Sequence, residues 1–310
     1  MRSLLALAIP GLLVAVAAAP AAEAPAKPVR PVPAIDHVLI ISVDGLRPDR
    51  VLLANTPVMH GLMRDGTYTF WAQTTAVAIT LPSHTSMLTG VVPRKHKIEW
   101  NMDLPLREMV YPAFPTIFEI ARKAGYTTAL VTGKSKFEPL AKPGTLDHLF
   151  MPQQDFSVDE PVGDEAVRVV AQLKPELLFV HFPAVDKAGH KFGWGSKEQL
   201  AAIERADVQI GRVLEAVDRA GLKNSTFVIV TADHGGAGKT HGAEDPRSRF
   251  IPWLVTGPGV KHDFDLTQIW ELTVHTEDTA AMALYLLGLP RSDDLDGKPV
   301  LPVFENPPKS

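Results

Sequence analysis

Cysteine is absent from all 310 residues. That excludes disulfides, thiolate metal ligands, a thiol nucleophile and a lipid-modified N-terminal cysteine, so any metal must be held by imidazole, carboxylate or hydroxyl groups. An excess of either charge is missing as well: 31 Lys and Arg stand against 35 Asp and Glu, a net charge of -4. With no basic surplus and no run of like charges, a nucleic-acid polymer is not an expected partner. The sequence also lacks an uninterrupted apolar run of the roughly 20 residues needed to cross a bilayer. The stretch from Leu4 to Ala18, behind Arg2, is shorter, is broken by Pro10 and Gly11, and is followed by the small residues Ala19, Ala22 and Ala24. This is the pattern of a secretory signal peptide, so export to the periplasm or medium without a stable membrane anchor is expected.

What is there is globular in composition, 45% hydrophobic and 21% charged. Residues 1–24 are assigned to the signal and the Ala- and Pro-rich residues 25–35 to a linker; residues 36–303 form a single expected domain. There are no internal repeats. Short β-branched runs at His37 to Val43, Tyr126 to Thr132, Leu177 to Phe182, Phe227 to Thr231 and Ile251 to Val255 fit buried parallel strands. Helical patterns lie between them. Ser157 and Glu160 have capping-box spacing before a helix running to about Leu173, and Lys197 to Ala220 is a long amphipathic segment closed by Gly221. Strands alternating with helices predict an α/β fold with a mostly parallel central sheet flanked by helices.

In such a sheet, ligands bind beyond the carboxyl ends of the strands. The first run ends in Asp44-Gly45, the third leads into Asp186, and the fourth into Asp233-His234-Gly235-Gly236. Three carboxylates on one sheet edge repel one another unless cations neutralise them. Asp186 has His190 four residues on, and Asp233 has His234 beside it. Either pair alone reads as turn or capping chemistry; together with Asp44 they point to a metal site of oxygen and nitrogen ligands. Thr80, in Ile79-Thr80-Leu81-Pro82-Ser83-His84, precedes a proline near the start of a helical stretch. Its hydroxyl and nearby backbone N–H groups would lie at a helix N-terminus, where phosphate is favoured.

Taken together, these four segments resemble the alkaline phosphatase superfamily, and within it the nucleotide pyrophosphatase/phosphodiesterase branch, over roughly residues 36 to 290. His96 to Asn101 adds to the likeness: the branch has a His-Gly-Ile segment ending in an asparagine that binds a phosphoryl oxygen, here with Lys97 in place of the glycine. The resemblance implies two divalent cations, zinc or else manganese, and an alkaline phosphatase-like core without a large cap domain. One cation would be held by Asp44, Thr80, Asp233 and His234, the other by Asp186, His190 and one more histidine. His241, before a strand and within a glycine-rich loop, is preferred to His275 for that place, and structural roles are expected for His84, His148, His181 and His262.

The reaction so implied is hydrolysis of a small-molecule phosphate ester or nucleotide through a phosphothreonine at Thr80, with Asn101 on a phosphoryl oxygen. Lys134 and Lys136 leave an alternative open, because some single-domain alkaline phosphatases place a basic pair there against a doubly charged monoester. A transferase that passes the phosphoryl-linked group to an alcohol is a further alternative. A sulfatase is disfavoured, since that branch converts a cysteine or serine and this chain offers Thr80. A non-catalytic binding protein is disfavoured by the intact Asp/His set.

Overall fold

A strand buried on both faces has no polar side to alternate with, and the continuous apolar runs of the sequence become such strands. The computed structural model describes residues 27–102, 109–242 and 245–307; the proposed signal peptide and the first residues of the linker lie outside them. Eight strands are present among the described residues: β1 (His37–Val43), β2 (Thr67–Gln73), β3 (Thr128–Thr132), β4 (His148–Phe150), β5 (Leu177–Phe182), β6 (Thr226–Thr231), β7 (Phe250–Thr256) and β8 (Phe264–Asp265). They form one sheet in the order β4-β3-β5-β1-β6-β7-β2-β8. β1 sits between β5 and β6, parallel to both, while β7 alone runs against its neighbours β6 and β2. The mostly parallel α/β fold is thus present, with one reversed strand.

The helices are α1 (Pro48–Leu53), α2 (Pro57–Arg64), α3 (Thr80–Thr89), α4 (Pro93–His96), α5 (Ile117–Lys123), α6 (Glu160–Gln172), α7 (Ala184–Phe192), α8 (Lys197–Arg219), α9 (Pro246–Arg249) and α10 (Thr276–Leu286). α1, α2, α6 and α7 pack on the long α8, and α3, α5 and α10 pack on one another, so helices flank the sheet. α8 ends as its sequence indicates, with Gly221 in the left-handed region at φ +75°, open to a residue without Cβ. α3 is buried along its whole length, which fits its nearly non-amphipathic sequence. None of the described helices is long and apolar enough to cross a membrane.

One local expectation fails. α6 begins at Glu160 with Asp159 as its N-cap residue, so Ser157 and Glu160 do not form a capping box. Asp159 is drawn elsewhere: its Oδ1 accepts the backbone N–H of Ala184 (2.9 Å), at the start of α7, while its Oδ2 is buried with no partner among the described residues. The carboxyl therefore ties two helices together at the cost of its own hydration, and burial pushes its pKa up from 3.8 to about 7. A carboxyl whose folded pKa is raised favours the fold below its unfolded pKa, and that contribution is lost as pH rises through the folded value. Asp159→Asn keeps the acceptor for Ala184 and removes the ionisation. It should raise stability at pH 8 by about 1–2 kcal/mol, with no gain at pH 4. Urea unfolding at both pH values checks this, and an equal effect at both would contradict it.

Candidate metal and phosphate site

β1, β5 and β6 end side by side, and the residues that follow them turn inward over the same edge. Asp44 follows β1, Asp186 and His190 lie on α7 after β5, and Asp233 and His234 follow β6. Asp44, Asp233 and His234 are fully buried, and Asp186 nearly so. Gly45 permits the close approach: at φ +73° it lies against the backbone of Asp186, where an added Cβ would be 3.0 Å from Asp186 Cα. Its N–H and that of His234 both donate to Asp233 Oδ1 (3.1 and 2.9 Å).

Three imidazoles complete the site, each with its Nδ1 committed to a backbone carbonyl: His234 to Gly235 O (2.8 Å), His190 to Lys239 O (3.0 Å) and His241 to Ala78 O (2.9 Å). These bonds place the ring proton on Nδ1 and leave each Nε2 with a lone pair. The lone pairs face carboxylate oxygens. His234 Nε2 is 3.2 Å from Asp233 Oδ2 and 3.5 Å from Asp44 Oδ1; His190 and His241 Nε2 are 3.3 and 3.9 Å from Asp186 Oδ1. Those same three oxygens, Asp44 Oδ1, Asp186 Oδ1 and Asp233 Oδ2, are buried without a hydrogen-bond partner among the described residues. Acceptors converging on acceptors, all but His190 shielded from solvent, call for a cation between them. Two groups have ligand atoms within 4.8 Å of one another: Asp186, His190 and His241, and Asp44, Asp186 and His234. The first is the triad inferred for one metal. The second draws Asp186 toward the other metal as well, while Asp233 and Thr80 border it through His234.

The crowding of charges shows in the titration of these groups. Burial would raise Asp44, but Lys134, His181 and His234 outweigh it and hold its carboxyl well below the usual range. Asp186 is likewise lowered, Lys134 and His190 outweighing burial and the repulsion of Asp44. Asp233 goes the other way, pushed well above its ordinary value by burial and then by Asp44. Burial depresses His234 to about 3 and lowers His241, whereas the contact with Asp186 raises His190.

Thr80 is the first residue of α3, with Ile79 at the N-cap and no side-chain cap. Its hydroxyl is therefore not spent on capping; Oγ1 lies 3.2 Å from His234 Nε2. Asn101 reaches the same helix end, its Oδ1 accepting the N–H of Leu81 (2.9 Å), which leaves its amide N–H groups as donors. Lys97, in the place of the family's glycine, has φ +67°, so that position demands a left-handed residue. Lys134 is buried and bridges Asp44 Oδ2 (2.6 Å) and Asp186 Oδ2 (2.7 Å), the carboxylate oxygens that His190, His234 and His241 do not face. Burial opposes its charge, but Asp186 and Asp44 raise its pKa and keep it an ammonium. Lys136 Nζ donates to the Asn101 carbonyl (3.1 Å); burial and the charge of Lys134 lower its pKa. All ten residues singled out from sequence thus gather in one region. His275 does not join them, being the N-cap of α10 in a capping box with Asp278.

Two histidines given structural roles also reach the site. His181 Nε2 donates to Asp44 Oδ2 (3.0 Å) while its Nδ1 accepts from Thr132. His84 Nδ1 donates to the Thr80 carbonyl (2.8 Å), and Ser42 donates to its Nε2. The available signals were slight: His84 lies one helical turn beyond Thr80, and His181 is the one polar residue in the apolar run of β5.

Comparison with known proteins places the chain in a family. Curated relatives include an uncharacterized pyrophosphatase/phosphodiesterase of Schizosaccharomyces pombe, 24% identical over 216 residues, covering 64% of this chain and 44% of that protein. Human ectonucleotide pyrophosphatase/phosphodiesterase family member 1 is 24% identical over 223 residues, covering 64% of this chain and 23% of that protein. The chain thus spans less than half the length of these relatives. Among solved structures, murine ectonucleotide pyrophosphatase/phosphodiesterase 5 superposes with a TM-score of 0.68 at 16% identity, covering 82% of this chain and 95% of that one. A phosphonate monoester hydrolase of Agrobacterium radiobacter gives 0.67 at 17% identity, covering 87% and 77%. A sulfatase sequence model matches residues 196–289. The model described as type I phosphodiesterase/nucleotide pyrophosphatase matches residues 38–242, about two-thirds of the sequence and all of the Asp, His and Thr residues of the site. The chain belongs to the type I phosphodiesterase/nucleotide pyrophosphatase family.

Proposed function

We propose that the protein is an exported hydrolase of small phosphate esters or nucleotides that works through a phosphothreonine at Thr80. The observation that carries this is the position of Thr80 Oγ1, uncommitted to helix capping and 3.2 Å from His234 Nε2, at the edge of a buried Asp/His cluster with three bare carboxylate oxygens. Asp44, Asp233 and His234 with Thr80 would hold one divalent cation, and Asp186, His190 and His241 the other, zinc or manganese being suited to these ligands. Bound there, the cations would supply positive charge to the phosphoryl oxygens and lower the pKa of the threonine hydroxyl.

The chain's own groups do the rest. At the start of α3, where Leu81 N–H is taken by Asn101 Oδ1 and Ser83 N–H by Ile79 O, the backbone N–H of Thr80 and the Asn101 amide would donate to the non-bridging oxygens. Thr80 Oγ1 gives up its proton to solvent and bonds to phosphorus as the ester P–O bond breaks, and the departing alkoxide takes a proton from solvent. Water then cleaves the Oγ1–P bond and Thr80 recovers its hydroxyl proton. One of the solved neighbours is an inactive variant of murine ectonucleotide pyrophosphatase/phosphodiesterase 5 in complex with AMP, which supports the choice of a nucleotide among the proposed ligands.

Thr80→Ala should lower kcat by at least ~10³-fold while leaving cation content unchanged within a factor of about three. Acid quenching of the wild type during turnover of a ³²P-labelled ester should trap label on Thr80. Unchanged turnover in the alanine variant would refute the assignment.

Lys134 gives specific support to a second reading, a phosphomonoesterase. A buried ammonium between Asp44 and Asp186 adds fixed positive charge where a dianion would sit. If monoesters are the preferred substrates, Lys134→Met should lower kcat/KM for nitrophenyl phosphate by roughly 10- to 100-fold and change the bis(nitrophenyl) ester far less. An equal loss on both esters would assign Lys134 to ordering the carboxylates and leave the diesterase reading in place.

A further inference from the structure

Three of the loops that carry the site converge on one side chain that is not itself a candidate ligand. Trp194 follows α7, held in place by the donation of its backbone N–H to Gly238 O (2.7 Å). Its indole Nε1–H donates to Gly45 O (2.8 Å), the residue after Asp44. The ring then fills the space left by three glycines. A Cβ on Gly236 would lie 2.3 Å from the indole, one on Gly189 2.7 Å, and one on Gly45 3.2 Å. Each of these glycines neighbours or adjoins a site residue: Gly45 follows Asp44, Gly189 precedes His190, and Gly236 closes the Asp233-His234 loop. On its remaining side the ring meets two imidazoles edge-on, His190 at 5.1 Å between centroids and 84°, and His241 at 5.9 Å and 66°.

We infer that Trp194 is the positioning residue for the Asp186, His190 and His241 triad, a rigid indole plate that sets the spacing of the two imidazoles and couples the triad to the Asp44 loop. The inference rests on the reading of that triad as a cation site. It goes beyond it by naming what fixes the triad. His190 and His241 come from different segments; each has its Nδ1 on one backbone carbonyl, the two rings meet at 5.0 Å between centroids, and His241 also stacks on His234 (3.7 Å, 14°). For the half-exposed His190 the Nδ1 bond leaves the ring free to rotate about the axis of that bond, and edge-on contact with the buried indole removes that freedom; His241, stacked on His234, is braced by the indole at a second edge. The other cluster depends on the indole less directly, because Asp44 is oriented by His181 and Asp233 by the N–H groups of Gly45 and His234, and Trp194 reaches them only through Gly45 O and Gly236. Loss of the indole should therefore weaken one site selectively.

Cobalt(II) is a suitable probe, since it quenches nearby tryptophan emission and its visible absorption reports ligand geometry. The full-length protein, stripped of metal, would be titrated with cobalt while emission, absorption and bound stoichiometry are followed. In the wild type, filling the triad should quench the emission of Trp194, one of five tryptophans, and His190→Ala should abolish that quenching although the indole is still present. Trp194→Phe keeps an aromatic edge but not the donor, and should weaken binding at the triad by about 10-fold. Trp194→Leu should weaken it by up to about 100-fold, both within the range seen when a group behind a metal ligand is removed. Cobalt at the Asp44, Asp233 and His234 side should keep its affinity in both variants. Gly189→Ala, whose new methyl would drive the ring away, should repeat the leucine result without altering Trp194, which guards against a leucine variant that fails to fold. Full, wild-type affinity for cobalt at both sites in folded Trp194→Leu and Gly189→Ala would overturn the inference and leave the proposed function standing. Failure of the wild type to bind cobalt would instead remove the cation-site reading, and the inference with it.

Discussion

The constraint on which the rest depends is a confrontation of lone pairs. Three imidazoles have spent their protons on backbone carbonyls, and their Nε2 atoms face three carboxylate oxygens that have no donor of their own. In water such a set would turn outward or pick up protons. In a buried site it persists because the fold over-determines it: the sheet fixes the ends of β1, β5 and β6, and Gly45 lets two of the loops touch. Asp233 shows the tension most clearly. Its pKa is forced up by burial and by Asp44, yet its Oδ1 receives two backbone N–H groups that favour the anion. A group held between these two demands is resolved by a cation, which satisfies both.

Around that centre the polar groups form a second layer. His181 and Lys134 share Asp44 Oδ2, Lys134 continues to Asp186, and His84 links the Thr80 carbonyl to Ser42 on β1. His84 and His181 contact each other edge-on beneath Phe137. The layer explains why α3 can be buried from end to end while carrying five hydroxyl and imidazole side chains from Thr80 to Ser86. Each finds its partner inside: Thr85 on Leu81 O, Ser86 on His96, Ser83 on Thr74 and Thr75.

The fold was legible where burial is symmetric. β1 and β5 coincide with their apolar runs residue for residue, because a parallel strand covered on both faces needs no alternation. β2 was missed for the opposite reason: Thr67–Gln73 mixes buried Thr67, Thr69 and Ala72 with exposed Trp71, and it pairs only with β7 and the two-residue β8. The proximity of Asp44, Asp186, Asp233 and His234 was readable because they follow strand ends, where sequence position implies spatial position. His181, His84 and Trp194 were not, since their importance lies in atoms contributed by residues far away in the chain. Ser157 and Glu160 mimicked a cap whose place Asp159 takes, because a tertiary contact with Ala184 outcompetes local spacing.

If the protein hydrolyses phosphate esters as proposed, charge links the number of cations to the kind of ester the site would suit. Asp44, Asp186 and Asp233, all ionised once coordinated, contribute three negative charges, and Lys134 returns one positive. Two divalent cations would bring this inner set to a surplus of two positive charges, which matches a phosphate dianion and over-compensates the single charge of a diester. One divalent cation would bring it to neutrality, with no charge left to favour either ester. The buried ammonium is thus what distinguishes the cases: without Lys134, two cations leave a surplus of one, suited to a diester. Monoester or diester preference in this chain is accordingly a question about Lys134 and cation occupancy together, and only secondarily about the loops that shape the leaving-group side.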